Sequence, residues 1–152
     1  MKPGSKQARR KKTAARKQRR PSKTTGTRQY VFFYGTLKRG GRNYGRLREH
    51  HVRFVSEGLI HAALYNLHEG EFPGAVPSTV AGHFVEGELF VLQRPEETLR
   101  YLDDFEGVGE GLFRRELMEV SGRGRRVQAW VYLYAQPLLD ADQIPSGVYS
   151  PR

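Results

Sequence analysis

The hydrophobic pattern of this chain begins abruptly at Tyr30 and then changes rhythm twice. Tyr30-Val31-Phe32-Phe33-Tyr34 is aromatic or β-branched at every position, which predicts a strand buried on both faces. Gly35 ends the run and Gly40-Gly41 follow, so residues 35–43 are expected to form a loop with special backbone freedom. A short helix is expected over 45–51. Residues 52–55 and 59–67 read as two strands interrupted at Gly58. Pro73 and Pro77 cannot donate to a ladder, so 72–77 is expected as an extended loop or a sheet edge. Within 80–92 the period is two: Val85, Gly87, Leu89 and Val91 alternate with Glu86, Glu88, Phe90 and Leu92.

The rhythm becomes helical after that strand. Pro95 suits the first turn of a helix, and Glu96 and Glu97 stand where the helix dipole favours negative charge. Gly107 is the stop. Residues 112–120 and 126–135 read as strands joined by the turn Ser121-Gly122-Arg123-Gly124. Trp130, Tyr132 and Tyr134 share one face of the last strand and are expected to fill a closed or strongly coiled sheet. Residues 136–152, with Pro137, Pro145 and Pro151, are expected to be irregular, and there is no internal repeat. The sum is a mixed α/β domain, a barrel-like and largely antiparallel sheet with one main helix.

Composition divides the chain in two. Residues 1–28 hold twelve Lys/Arg and no Asp or Glu, with only Met1 and three alanines as aliphatic residues. Nothing there can repay the entropy of ordering the backbone, so a disordered basic tail is expected at 1–28 and a folded domain at 29–152. The folded part carries fourteen basic against sixteen acidic residues, a net charge of −2. The overall +10 therefore belongs to the tail. Such a tail binds nucleic acids or other polyanions electrostatically, or is a solvated extension with no dedicated partner. It has no aromatic residue for base stacking, so any such contact would be unspecific. Cysteine is absent, which excludes disulfides, thiolate nucleophiles and cysteine-based zinc sites. No apolar run approaches ~18 residues, and the tail lacks both a secretory apolar core and the leucines of an amphipathic transit peptide. The expectation is a cytoplasmic protein without membrane contact.

Two segments carry candidate chemistry. Advancing about 100° per residue from Leu99 puts Leu102 at about 300°, Phe105 at about 240° and Tyr101 at about 200°. Glu106 falls at about 340°, on the edge of that apolar stripe, whereas Asp104 falls at about 140° in water and Asp103 at about 40° near the rim. A carboxylate so placed is desolvated, which raises its pKa toward the range of a general base. An ion pair of Glu106 with a strand arginine such as Arg114 or Arg115, or a place at a frayed helix end, is the competing reading. The second segment, Tyr34-Gly35-Thr36-Leu37-Lys38-Arg39-Gly40-Gly41, offers exposed N–H groups at a strand end, a cradle for an anion. It is not a P-loop, because Gly41-Arg42 replaces the required Lys-Ser/Thr. An ordinary tight turn would look the same. The five histidines show no metal-ligand spacing and no legible Ser/His/Asp pattern.

Taken together the two segments resemble the γ-glutamylcyclotransferase-like family, and within it the γ-glutamylamine cyclotransferase branch and its small bacterial relatives. The resemblance rests on Tyr34-Gly35-Thr36-Leu37 after an aromatic strand and Leu102-Asp103-Asp104-Phe105-Glu106-Gly107 about seventy residues later. Phe72-Pro73-Gly74-Ala75, Glu86-Gly87-Glu88-Leu89 and Ile144-Pro145-Ser146-Gly147-Val148-Tyr149 fall in the family's order, so about residues 30–150 are covered. The family implies a barrel-like sheet with a central cavity, in which Tyr34, Gly35, Thr36 and Leu37 bind a γ-glutamyl substrate and Glu106 is the catalytic acid/base. The chemistry it implies is release of 5-oxoproline and a free amine, with no metal or cofactor needed. Phe113 and Val148-Tyr149 depart from the family pattern near the expected pocket mouth, which bears on the leaving amine. A metabolite-binding protein on the same fold, or a nucleic-acid-associated protein acting through its tail, are the alternatives.

Overall fold

A computed structural model describes residues 27–150 of the chain; nearly all of the expected basic tail therefore lies outside the described residues. Its first strand, β1 (Gln29–Phe33), buries Val31, Phe32 and Phe33 consecutively. Both of its faces are covered: Phe32 belongs to the interior cluster, and Val31 and Phe33 to an outer one that includes Leu99 and Leu102. The other strands are β2 (Val52–Leu67), β3 (Phe72–Pro77), β4 (Phe84–Leu92), β5 (Phe113–Gly122), β6 (Arg125–Tyr134) and β7 (Asp142–Gln143), with one α-helix, α1 (Pro95–Phe105), between β4 and β5. Hydrogen bonding runs β2-β4-β1-β6-β5, and β5 returns to β2 through Leu59 and Ser121, closing a five-stranded barrel. Every neighbour pair is antiparallel except β1 with β6, which meet at Val31 and Trp130. The fold is mixed α/β, as the pattern predicts.

Gly58 does not break β2. The strand is continuous for 16 residues, pairing with β4 along its first half and with β3 along its second. The irregularity lies between Phe54 and Ser56. Gly58 instead marks the closing seam: a Cβ there would stand 2.8 Å from Val120 Cγ1 and 3.0 Å from Ser121 O. A glycine inside a strand that permits close approach of another backbone produces the same sequence signal as a breaker. The β5–β6 turn is also tighter than expected. Only Arg123 (φ 52°) and Gly124 (φ 71°) lie between the strands, the positive-φ pair of a two-residue hairpin. The helix expected at 45–51 is a single 3-10 turn at Tyr44–Leu47. Residues 72–77 form the edge strand that their prolines allow, and the irregular C-terminal segment includes the short β7, which pairs with β2.

The barrel interior is filled from alternate positions of all five strands, including Phe32, Ile60, Leu64, Val85, Val120 and Val131. On β6 it is Ala129, Val131 and Leu133 that point inward. Trp130, Tyr132 and Tyr134 do share a face, but it is the outer one, packed with Phe33, Phe90 and Phe113 and with Leu99 and Leu102 of α1. A five-stranded ring is narrow, so β6 sends its small and branched side chains into it and its three aromatic rings into the layer between barrel and helix, while Phe32 of β1 is a ring that the interior does hold. Pro95, Glu96 and Glu97 occupy the first turn of α1 as expected, and Thr98 Oγ1 donates to His50 O at 2.7 Å. Among the described residues no helix is long and apolar enough to cross a membrane.

Candidate active site

The chain leaves β1 into a series of tight turns. Lys38 N donates to Gly35 O at 3.1 Å, Gly41 N to Lys38 O at 2.8 Å, and Asn43 N to Thr36 O at 3.0 Å. Asn43 Nδ2 donates to Thr36 Oγ1 at 2.9 Å. Glu88 of β4 anchors the outer side, accepting from Arg39 N at 2.8 Å and from Arg39 Nε at 3.3 Å. Among the described residues, the N–H groups of Gly35, Thr36 and Leu37 have no intramolecular acceptor. Three successive unpaired donors beside a cavity are what an anion or a developing oxyanion requires, and their neglect otherwise would be costly.

Gly35 meets a steric need, not a need for left-handed backbone. Its φ is not positive, unlike that of Gly40 at +83°. A Cβ on Gly35 would lie 2.8 Å from Pro73 Cγ and 3.1 Å from Pro73 Cδ. Pro73 belongs to the buried edge strand β3, so the loop is seated against it. Tyr34 ties three strands together. Its hydroxyl donates to Tyr132 O at 2.6 Å and accepts from Ala75 N at 3.0 Å. Burial pushes its phenol far above the ordinary value. Tyr34 thus offers the cavity its ring and backbone, while its hydroxyl is held by β3 and β6.

Glu106 caps the C-terminus of α1 with φ −87° and ψ 0°, its own N–H still bonded to Leu102 O at 2.8 Å. Gly107 follows at φ +69°, and Gly107 N and Val108 N close back on Asp104 O at 3.2 Å and Asp103 O at 2.9 Å. This is a Schellman closure, which needs glycine at that point and fixes the direction in which Glu106 leaves the helix. The ion-pair reading of Glu106 is resolved by its neighbours. Arg115 Nε and Nη2 bond the two oxygens of Asp103 at 2.8 and 3.2 Å, and Arg114 pairs with Glu116. Tyr132 Oη donates to Asp103 Oδ1 at 2.8 Å. Asp104 is exposed, as its position on the helix predicts. Among the described residues Glu106 has no salt-bridge partner. Desolvation alone pushes its carboxyl up to about 7.

A cavity of about 160 Å³ joins these parts at the C-terminal end of β1. Tyr34, Gly35, Thr36, Leu37 and Glu106 all line it, so the two segments singled out in the sequence meet in one place. Phe72, Phe105, Leu112 and Phe113 form its apolar wall, and Arg42, Asn43 and Tyr132 complete it. Phe113 therefore does stand in the pocket. Tyr149 does not; it is buried, with its hydroxyl on the carbonyls of Gly70 and Glu71. Arg42 and Asn43 carried no periodic signal of a site, since loop positions follow no rhythm; Tyr132 was legible as sharing a face with Trp130 and Tyr134, but not as lining a cavity. No histidine lines the cavity; His50 stacks on Tyr101 and His83 sits 2.8 Å from Ser78 Oγ on another face.

The chain and its fold have known counterparts. Residues 31–151 match the family described as "Gamma-glutamyl cyclotransferase, AIG2-like". The chain belongs to that family. It is 33% identical over 116 residues to the gamma-glutamylaminecyclotransferase of Rattus norvegicus, covering 68% of this chain and 76% of the rat protein. The crystal structure of an AIG2-like protein from mouse superimposes with a TM-score of 0.65 at 29% identity, covering 82% of this chain and 97% of the other. The solution structure of protein ytfP from Escherichia coli does so with a TM-score of 0.56 at 27% identity, covering 80% and 96%.

Proposed function

We propose that this protein is a cyclotransferase that releases 5-oxoproline and a free amine from a γ-glutamylamine. The observation that carries the reading is Glu106: an unpaired carboxylate, raised to about 7, in the same cavity as three free backbone N–H groups. The substrate's α-amine attacks its own γ-carbonyl, closing a five-membered lactam and expelling the amine. At neutral pH that α-amine is an ammonium and cannot attack. During the reaction it sheds two protons and the leaving nitrogen gains two, so one carboxylate working in both directions serves both ends. Gly35, Thr36 and Leu37 hold the substrate's α-carboxylate or the oxyanion that forms on the γ-carbonyl oxygen. Because nucleophile and electrophile belong to one molecule, holding the glutamyl chain in a near-attack conformer supplies much of the acceleration. Effective molarities on the order of 10⁵ M are reachable in that way. The test is incubation with a panel of γ-glutamylamines and detection of 5-oxoproline. Turnover of at least one member is expected, and silence across the panel with folded protein would refute the reading.

We further propose that residues 1–28 act apart from this chemistry. They hold the whole positive excess of the chain. Their removal should leave turnover and thermal stability intact and abolish retention on a polyanion column at low salt. A truncated protein that unfolds would show that the division at residue 28 is misplaced.

A further inference from the structure

At the end of the barrel opposite the site cavity, arginines form a rim. Arg28, Arg53 and Arg125 each stand two positions before a residue that packs on the interior cluster: Tyr30 of β1, Val55 of β2 and Val127 of β6. A period of two puts all three on the inward register, just beyond the end of the core. Arg53 keeps that register despite the irregularity after Phe54, because it pairs with Val91, which is also opposite Tyr30. Arg123 joins them from the β5–β6 turn. All four are exposed, and none has a salt-bridge partner among the described residues. Glu57 and Glu119, the nearest carboxylates along β2 and β5, occupy the alternate, outward positions beside Ser56 and Val120. Beneath the rim lies a cavity of about 50 Å³ lined by Ser56, Arg123 and Arg125 among others. Ser56 is only 6% exposed, and its hydroxyl has no hydrogen-bond partner among the described residues. A buried hydroxyl of that kind calls for an oxygen.

The charge of the whole chain converges on this mouth. Residues 1–28, with their twelve Lys/Arg, end at Arg28, which is itself part of the rim. Independently of the cyclisation, we infer that Arg28, Arg53, Arg123 and Arg125 seat phosphates of a nucleic-acid backbone and form one binding surface with residues 1–28. Guanidiniums without a carboxylate partner keep their forked donors for phosphate oxygens. The cavity is too small to take in a base, and its free hydroxyl suits a phosphate oxygen, so the rim reads charge and not sequence. In a folded part of net charge −2 the rim alone is a weak polyanion binder, which agrees with loss of retention once residues 1–28 are removed. Joined to them, it meets the bound polyanion at a raised effective concentration. The five residues of β1 separate rim from site cavity, about 15 Å at roughly 3.3 Å per residue, so both can be occupied together.

The test is fluorescence anisotropy of a labelled DNA duplex of about twenty base pairs, titrated with the full chain over a salt series. Arg53→Gln/Arg125→Gln should weaken binding by about tenfold or more at about 0.1 M salt. Its log–log salt slope should be shallower by about 1.8, at about 0.9 for each lost phosphate contact. Ser56→Ala should weaken binding by about threefold with the slope unchanged, since a neutral hydroxyl displaces no counterion. Arg48→Gln/Arg114→Gln removes equal charge from exposed positions away from the rim and should move the slope much less. Duplexes of scrambled sequence should bind alike. The substituted arginines are exposed, so melting temperatures should match the wild type. A wild-type slope in Arg53→Gln/Arg125→Gln, or an equal loss in Arg48→Gln/Arg114→Gln, overturns the inference and leaves residues 1–28 as the polyanion contact. So does a rim variant that loses binding to phosphatidylserine vesicles but keeps the duplex, which would assign the rim to a membrane surface. The readout involves no turnover, so either outcome leaves the cyclotransferase reading untouched.

Discussion

Glu106→Gln should lower turnover by about 10²–10⁴-fold, the usual cost of removing a general base, with KM little changed. Glutamine keeps the shape and a hydrogen-bonding head but cannot accept the ammonium proton. Substrate binding persists because the loop at Gly35–Leu37 is untouched. The pH profile gives a second handle. A base whose pKa stands at about 7 must be ionised to work, so wild-type kcat/KM should rise with pH through about 7 and the residual activity of the variant should lose that step.

Stability should move the other way. Glu106 ordinarily titrates at 4.5 and is raised to about 7 in the fold. Between those values the native state holds a proton that the unfolded chain has released. Stability from this group is therefore complete below 4.5 and is lost as pH rises to about 7. The variant has no such group, so its stability relative to wild type should improve with pH across that window, by on the order of 1–3 kcal/mol. Asp104→Asn is the control, since Asp104 is exposed and makes no contact with the cavity. A Glu106→Gln protein that melts early at pH 8 yet turns over at the wild-type rate would return Glu106 to a structural role and remove the proposed mechanism.

How far the site could be read before the fold was known depended on which residues sit on periodic elements. Glu106 follows a helix whose phase is set by Leu99 and Leu102, so its inward direction was legible, as was the outward direction of Asp104. Its freedom from an ion pair was not. That depends on Asp103 capturing Arg115 across from β5, a partnership between elements that no local pattern encodes. The loop was legible because Gly35 and then Gly40-Gly41 interrupt an unbroken aromatic strand, but the reason for Gly35 was not. Its need for space arises from Pro73, 38 positions away in sequence and brought close by the ladder between β2 and β3. The same holds for Gly58 and for the face assignment of Trp130, Tyr132 and Tyr134. A period of two says which residues share a face; closure of the ring decides which face is inside.

Gly35→Val should raise KM by about tenfold or more while leaving a folded protein. The Cβ alone would meet Pro73 Cγ at 2.8 Å and Cδ at 3.1 Å, and valine adds two methyl groups to that contact. Overpacking of this kind typically costs about 1–3 kcal/mol, which a barrel closed on all five strands can absorb. The strain has two ways out. Pro73 can shift against β2, where its neighbours are buried, or the loop can move away from β3 into the cavity it lines. The loop is the softer element, held on its far side by two hydrogen bonds from Asn43 to Thr36 and two from Arg39 to Glu88. Its displacement would carry the N–H groups of Gly35, Thr36 and Leu37 out of register with Glu106, and a misplacement of about 1 Å can cost 10²-fold in a positioned reaction. Gly35→Ala, with no γ-carbons, should show the same effect in weaker form because the proline ring can pucker away from one carbon. The backbone itself is not the obstacle, since φ at Gly35 is not positive. Binding of 5-oxoproline measured by calorimetry separates affinity from chemistry. Weakened product binding in the order wild type, Gly35→Ala, Gly35→Val is expected, and equal binding by all three would move the glutamyl site away from this loop.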